Sequence, residues 1–185
     1  KDEVKKNYVF TGGGSGGHTI PALTIFRSLD KNHINVTYYG SYSGIESEII
    51  PKEKIKYRKI FTGKLRRYLT WRHFPDFIKF FLGIAQATFY LMMDRPHVVF
   101  STGGFVSLPV VIAAWVLQIK VVIHEQTSRV GLANRIAARF ADKVLISFEA
   151  SRSYFPSHKV EWTGYPLRPS LFTPVNTHFE IQGTD

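Results

Sequence analysis

Two glycine-rich segments constrain this sequence most strongly, because each follows a short apolar run and precedes a longer helical one. The first is residues 11–18, TGGGSGGH, and the second is residues 102–107, TGGFVS. Glycines between a strand and a helix permit a tight turn and a close approach of the backbone to a ligand. Repetition of this unit predicts an α/β domain built on a Rossmann-like, doubly wound parallel sheet.

The alternation of β-branched and helical runs extends along most of the chain. Strands are predicted at residues 7–11, 35–39, 56–60, 97–101, 120–124, 143–147 and 160–163, and helices at 20–31, 74–93, 107–118 and 129–140. Residues 98–119 carry no charge, a length at which a membrane span has to be considered. Glycines and Pro109 interrupt that run, so a buried strand, a loop and a helix explain it better.

Both glycine segments are expected to bind an anion. A helix N-terminus offers unpaired amides, and loops at the carboxyl ends of parallel strands face one crevice. The alternative is that each segment is only a tight turn. Gly12, Gly14 and Gly17 also fit the G-x-G-x-x-G pattern of dinucleotide-binding oxidoreductases. That reading needs an acid at the end of the second strand, and no acid follows before Glu46, so it is disfavoured.

Three polar side chains are candidates for chemistry beside these loops. His18 begins the first helix and is a candidate general base, although it could equally be a structural residue of the helix start. Glu125 follows a predicted strand, where the alternative role is an interaction with the helix dipole. Arg168 follows a rigid proline turn, which suggests a phosphate ligand rather than a surface cation. No clustered histidines or carboxylates indicate a metal site.

The positive charge of the chain is concentrated in one stretch. Lysine and arginine number 24 against 14 acids, and residues 52–73 hold nine of these cations and one acid. Such a patch indicates an anionic partner, and its aromatic neighbours favour a phospholipid surface over nucleic acid, for which no recognised module is present. We expect residues 61–93 to dock on an anionic membrane without crossing it, through Lys64, Arg66, Arg67, Trp71 and Phe74.

Four segments in this order resemble the MurG family: residues 13–18, 103–109, 124–126 and 164–168. Members of that family transfer N-acetylglucosamine from UDP-N-acetylglucosamine to the undecaprenyl-pyrophosphoryl-linked muramyl-pentapeptide of peptidoglycan synthesis. The resemblance implies the N-terminal half of a GT-B glycosyltransferase that inverts the sugar and needs no cofactor and no bound metal. It also implies a peripheral protein on the cytoplasmic face of the bacterial membrane, in agreement with the absence of cysteine and of an apolar signal core.

The resemblance further implies roles for individual residues. Catalytic roles fall to His18 and Glu125, and the two glycine loops become the site of the acceptor pyrophosphate. The donor contacts are Ser15, Gly16, Gly17, Thr127 and Arg168, and the acceptor contacts are Gly13, Gly14, Gly103, Gly104 and Ser107. Thr127 and Tyr165 depart from the asparagines usual in the family, which weakens the donor contact at Thr127.

The expected organisation is an acceptor-binding domain at residues 1–170, with residues 171–185 a tail or the start of a linker. Family members bind the donor mainly through a C-terminal domain, which would have to come from the same or a partner chain. We therefore expect weak or no transferase activity from these residues alone. The alternative function is a noncatalytic membrane-docking and lipid-binding subunit of a split transferase.

Overall fold

The computed structural model describes residues 5–62 and 74–167, which form one seven-stranded parallel sheet in the order β3-β2-β1-β4-β5-β6-β7. The strands are β1 (Lys6–Thr11), β2 (Ile34–Gly40), β3 (Lys56–Lys59), β4 (Val98–Ser101), β5 (Lys120–Glu125), β6 (Lys143–Ile146) and β7 (Val160–Trp162). The α-helices are α1 (Gly16–Ser28), α2 (Glu46–Lys52), α3 (Phe74–Asp94), α4 (Ser107–Val116) and α5 (Leu132–Phe140). Two short 3-10 helices at Glu149–Tyr154 and Ser157–Lys159 precede β7.

The doubly wound parallel sheet is confirmed, whereas the starts of two helices differ from expectation and one further helix is present. Helix α1 begins at Gly16, four residues before the expected start, because the glycines there occupy its first turn instead of preceding it. Helix α5 begins only at Leu132, after Gly131 in an extended conformation. Helix α2 was not predicted, since its seven residues include Pro51 and are too few to show a helical period.

Helices cover both faces of the sheet. Helices α3, α4 and α5 pack on one face around a core that includes Leu91, Val99, Val111 and Ile123, each at most 1% exposed. Helices α1 and α2 cover the other face with a smaller cluster around Phe10 and its neighbours. The uncharged residues 98–119 thus form β4, a loop and buried α4, as expected. Within the described residues, no helix is long and apolar enough to span a membrane.

The cleft position follows from the strand order. Strand β1 pairs with both β2 and β4, so the chain winds outward in opposite directions from this pair. Parallel α/β sheets bind ligands beyond the carboxyl ends of the strands at such a switch point. The two glycine segments follow β1 and β4, and the structure therefore brings them to the same edge.

An ionic network closes the opposite edge of the sheet. Asp94, the last residue of α3, accepts hydrogen bonds from Arg58 at 2.6 and 2.7 Å and from the Tyr39 hydroxyl at 2.8 Å. Burial alone would raise the pKa of Asp94, but hydrogen bonds from Arg58, Tyr39 and Lys56 outweigh it and lower that pKa to about 2. The end of α3 is thereby tied to β2 and β3.

Candidate active site

The two glycine loops are packed directly against each other. The Gly13 amide donates to the Gly103 carbonyl at 3.2 Å, and the Tyr38 hydroxyl donates to the Gly12 carbonyl at 2.8 Å. Gly104 has φ +87°, and a Cβ there would run into the Gly13 carbonyl oxygen. Glycine at these positions is therefore required for loop packing before any ligand is considered.

A buried carboxylate, Glu46, supports the first loop from behind. Its Oε2 accepts the Gly14 amide at 3.0 Å, and its Oε1 accepts the Ser41 amide at 3.0 Å and the Ser41 hydroxyl at 2.5 Å. The Glu46 residue is 0% exposed. A buried carboxylate is tolerated only when several donors satisfy it, so Glu46 fixes both the β1–α1 loop and the β2–α2 loop.

The position of Glu46 also bears on the dinucleotide alternative. An oxidoreductase of this fold would present an acid at this point to a ribose. Here the carboxylate turns inward and occupies the Gly14 amide that a pyrophosphate would otherwise bind. Tyr57 contacts the same β2–α2 loop, because its hydroxyl donates to the Ser41 carbonyl. Burial is the main cause that raises the pKa of this hydroxyl, and the nearby charge of Glu46 raises it further. The geometry therefore does not support a dinucleotide site at this loop.

A cleft of about 980 Å³ opens in front of the loops. Its walls come from the loops that follow β1 to β5 and from the first half of α3. The residues that line it are Gly13, Gly14, Ser15, His18, Ser41, Tyr42, Ser43, Gly44, Phe61, Thr62, Lys79, Gly104, Phe105, Val106, Glu125, Thr127, Arg129, Gly131, Leu132, Ala133 and Asn134. The cleft is large enough for a small-molecule ligand.

His18 lies in this cleft with a defined hydrogen-bonding role. Its Nδ1 is 2.8 Å from the Thr102 carbonyl oxygen, so Nδ1 must carry the proton that it donates. The Gln126 amide donates to the same carbonyl at 2.6 Å. When the ring is neutral, Nε2 keeps its lone pair and is able to accept a proton. This is the arrangement that a general base needs.

The start of α1 offers free donors beside His18. The amides of Gly16 and Gly17 are in the first turn, where no intrahelical partner exists. Space is open around Gly16, and the Ser15 hydroxyl does not cap the helix. The exposed amides of the first loop are therefore at this helix start, where an anion could be bound, whereas Gly13 and Gly14 use their amides within the protein.

Glu125 reaches the cleft but is already satisfied. Its Oε1 accepts the amide and hydroxyl of Thr127 at 2.9 and 2.7 Å, and its Oε2 accepts the Asn134 side chain at 2.9 Å. The residue is 2% exposed. These bonds order the β5–α5 loop and hold Thr127 at the cleft surface, so the geometry favours His18 over Glu125 as the base.

Several predicted site residues do not reach the cleft. Ser107 is 0% exposed and donates its hydroxyl to the Gly104 carbonyl at 2.8 Å, so it lies beneath the second loop. Gly103 packs against Asn134. Arg168 and the docking residues Lys64, Arg66, Arg67 and Trp71 lie outside the described residues, as does the side chain of Phe74.

Four residues that shape the cleft were not predicted from the sequence. Glu46 and Asn134 are buried polar residues that hold the loops, and Lys79 and Arg129 place cations in the lining. In the sequence, Glu46 is only an acid too far along the chain from β2 to fit a ribose contact, and its burial and its partners become visible only in the fold. Within residues 5–62 and 74–167, no group of three or more histidines and carboxylates could hold a metal ion.

Comparison with known proteins agrees with the resemblance to the MurG family. Residues 8–146 match the family model described as the glycosyltransferase family 28 N-terminal domain. A UDP-N-acetylglucosamine–N-acetylmuramyl-(pentapeptide) pyrophosphoryl-undecaprenol N-acetylglucosamine transferase from Bacillus thuringiensis is 44% identical over 166 residues, which are 90% of this chain and 47% of that protein. The resemblance to MurG is thereby confirmed. The chain spans about half the length of this relative.

Solved structures agree on the fold. The structure of MurG from Acinetobacter baumannii superposes with a TM-score of 0.72 at 26% identity, covering 84% of this chain and 44% of that one. A UDP-N-acetylglucosamine 2-epimerase from Rickettsia bellii gives a TM-score of 0.64 at 15% identity, covering 88% and 45%. The epimerase likeness is one of fold alone.

We predict that Glu46→Gln loosens the first glycine loop. Glutamine keeps the volume, but its NH2 group must then face a donor at Gly14 or at Ser41. Leaving such a buried bond unmade costs about 2 kcal/mol in the free energy of unfolding. Urea denaturation should detect this loss, and amide hydrogen exchange should be faster at Gly14 and Ser41.

Glu48→Gln on the exposed side of the same helix is the matched control and should leave both measurements unchanged. Unaltered exchange at Gly14 in the folded Glu46→Gln protein would show that the carboxylate does not hold the loop.

Proposed function

This chain belongs to the family of glycosyltransferase family 28 N-terminal domains, and from that membership we propose that it is the acceptor-binding half of an inverting transferase. The reaction is the transfer of N-acetylglucosamine from UDP-N-acetylglucosamine to a muramyl-pentapeptide carried on pyrophosphoryl-undecaprenol, as named for the Bacillus thuringiensis relative. The observation that carries the proposal is the meeting of His18 with two glycine loops in one cleft.

The proposed chemistry is a direct displacement. A hydroxyl of the muramyl sugar attacks the anomeric carbon of the donor, the new glycosidic bond forms, and the bond to UDP breaks. Nε2 of His18 accepts the hydroxyl proton, while its Nδ1 remains bonded to the Thr102 carbonyl. The negative charge that develops on the departing diphosphate needs fixed donors, and a helix N-terminus is one such group.

Donor and acceptor are proposed to occupy opposite parts of the cleft. The start of α1, with Ser15, Gly16 and Gly17, takes the donor together with Thr127 and Arg168. The acceptor pyrophosphate lies against the second loop at Gly104 and is met by the Lys79 and Arg129 cations of the lining, while Gly103 shapes that loop from behind. In this assignment Gly13, Gly14 and Ser107 act by shaping the loops rather than by direct contact.

The remaining donor contacts are proposed to come from a second, donor-binding domain in the same or a partner chain. Support for this comes from the relative, in which the matched region is 47% of the protein. Transfer therefore requires both halves.

We further propose that the domain docks on the anionic cytoplasmic surface of the membrane. Helix α3 presents one exposed apolar stripe, formed by Ile78, Leu82, Phe89 and Met92, which recur at helical spacing. Contiguous apolar surface of this kind marks an interaction site. In the sequence, residues 52–73 directly precede this helix and contain nine lysines and arginines, and a combination of clustered cations and an apolar helix face suits a lipid headgroup boundary.

The transfer reaction is tested by joining this chain to the remaining half of the Bacillus thuringiensis relative. The fusion should transfer labelled N-acetylglucosamine to a soluble acceptor analogue. His18→Ala should lower kcat at least about a hundredfold, the lower range for general acid–base catalysis, with little change in KM. His158→Ala, an exposed histidine far from the cleft, is the control. A folded fusion that binds both substrates and transfers nothing would contradict the proposal.

Membrane docking is tested by sedimentation of the chain with liposomes. Binding should rise with the fraction of anionic lipid and weaken at high salt, because the cations act through a screened field. Leu82→Ser with Phe89→Ser should reduce binding several-fold through lost apolar burial. Phe148→Ser, which changes an exposed aromatic elsewhere, should not. A wild-type chain that ignores anionic liposomes at low salt would refute docking.

A further inference from the structure

An exposed aromatic pair stands at the β2–β3 end of the cleft. The rings of Tyr42 and Phe61 are stacked, with centroids 4.9 Å apart and an interplanar angle of 24°. Both residues line the cleft, and they are 46% and 40% exposed. Neither the general base nor the glycine loops of the proposed function use this pair. Exposed aromatic surface inside a binding cleft indicates a contact for an apolar part of a ligand.

The pair is held rigidly by helix α3. Oε1 of Gln86 accepts the Phe61 amide at 2.9 Å, and the Gln86 amide group lies 3.4 Å from the Tyr42 hydroxyl. The Phe61 carbonyl packs so closely on Gly83 that any side chain there would collide with it. We call this aromatic pair, Tyr42 and Phe61, the platform. Because the platform is already fixed before binding, little conformational entropy is lost when a ligand binds to it.

Two cations flank the platform. Nζ of Lys59 is 5.7 Å from the Tyr42 ring centroid, within the range of a cation–π contact. Lys79 lines the same cleft from α3. Cations beside an apolar platform fit a ligand in which a phosphate is attached to a hydrocarbon. They fit an uncharged sugar less well.

The platform also connects the cleft to the apolar stripe of α3. Lys79 and Gly83 directly follow Ile78 and Leu82 of that stripe, which are 48% and 51% exposed. Because the Phe61 carbonyl packs on Gly83, a chain that leaves the cleft over Phe61 meets α3 at the residue next to Leu82 of that stripe. This continuity selects a hydrocarbon chain that begins in the cleft and ends outside it.

We propose that Tyr42 and Phe61 form a subsite for the first isoprene units of the polyprenyl chain of the acceptor. The subsite binds lipid within the cleft, independently of the membrane surface, and it orients the pyrophosphate toward the second glycine loop. This inference rests on the proposed function, because the occupant is the lipid of that acceptor. A sugar ring or a nucleobase stacked on the pair would be a different result of the same test.

The test compares two soluble acceptor analogues that share the muramyl-pentapeptide pyrophosphate but carry either a methyl or a geranyl group. Calorimetric titration of the whole chain without lipid or detergent should give at least about tenfold tighter binding of the geranyl analogue, since a few buried methylene groups suffice for that factor. Tyr42→Ala with Phe61→Ala should abolish this gain and leave the affinity for the methyl analogue within about twofold. Phe148→Ala should behave as wild type. Tyr42→Ser alone, at an exposed position, is the second variant if the double change impairs folding.

The remaining outcomes of this titration would contradict either the lipid subsite or the proposed acceptor function. Equal affinity of the wild-type chain for both analogues overturns the lipid subsite, as does an unchanged geranyl gain in the double variant. A loss of methyl-analogue affinity in the double variant would assign the aromatic pair to the head group instead and overturn the inference. If the wild-type chain binds neither analogue, the proposed acceptor function fails, and the subsite fails with it.

Discussion

The buried carboxylate of Glu46 is the interaction on which the geometry of the site depends. A charge with no solvent contact must be met by donors, and here the donors are the amides of Gly14 and Ser41 with the Ser41 hydroxyl. These bonds join the loops after β1 and β2. The first loop is joined in turn to the second by the Gly13 amide and the Gly103 carbonyl. Three loops from separate strands thus form one rigid edge.

That rigidity explains the division of roles among the glycines. Gly12, Gly13, Gly103 and Gly104 allow backbone and side chains to approach where a Cβ would collide, so they act on structure. Gly16 faces open space at the start of α1 and is free to approach a ligand. The same edge holds His18, because the Thr102 carbonyl that fixes its ring belongs to the second loop. The proposed catalytic position of His18 therefore depends on the packing of the two loops.

Much of this arrangement could be predicted from the sequence. The apolar strands and the two glycine segments indicated the parallel sheet, and parallel strand ends share an edge, so the meeting of the loops with His18 followed. The role of Glu46 could not be predicted in this way, because its partners belong to two turns whose contact depends on the tertiary fold. The position of Ser107 depends on the tertiary fold in the same way: the resemblance implied an acceptor contact there, and in the structure its buried hydroxyl donates to the Gly104 carbonyl beneath the loop.

The aromatic and cationic residues at one end of the cleft could likewise not be predicted to lie together from the sequence. Tyr42 and Phe61 are 19 positions apart and meet only because β2 and β3 are neighbours in the sheet. Lys79 reaches the same cleft from α3, which follows β3 in the chain. Together with the second glycine loop, these groups give the cleft an apolar side and a cationic side, which is the arrangement on which the proposed lipid pyrophosphate site rests.

The central claim is that the second glycine loop of this cleft binds the acceptor, and that the nucleotide donor does not contact that loop. Amide NMR titration of the chain with a soluble acceptor analogue, and separately with UDP-N-acetylglucosamine, tests it most directly. The account predicts saturable shifts at Gly104, Phe105 and Val106 with the acceptor analogue, and none there with the nucleotide sugar at the same concentration. The claim is contradicted if the acceptor analogue leaves these amides unmoved, or if the nucleotide sugar binds there at least as tightly.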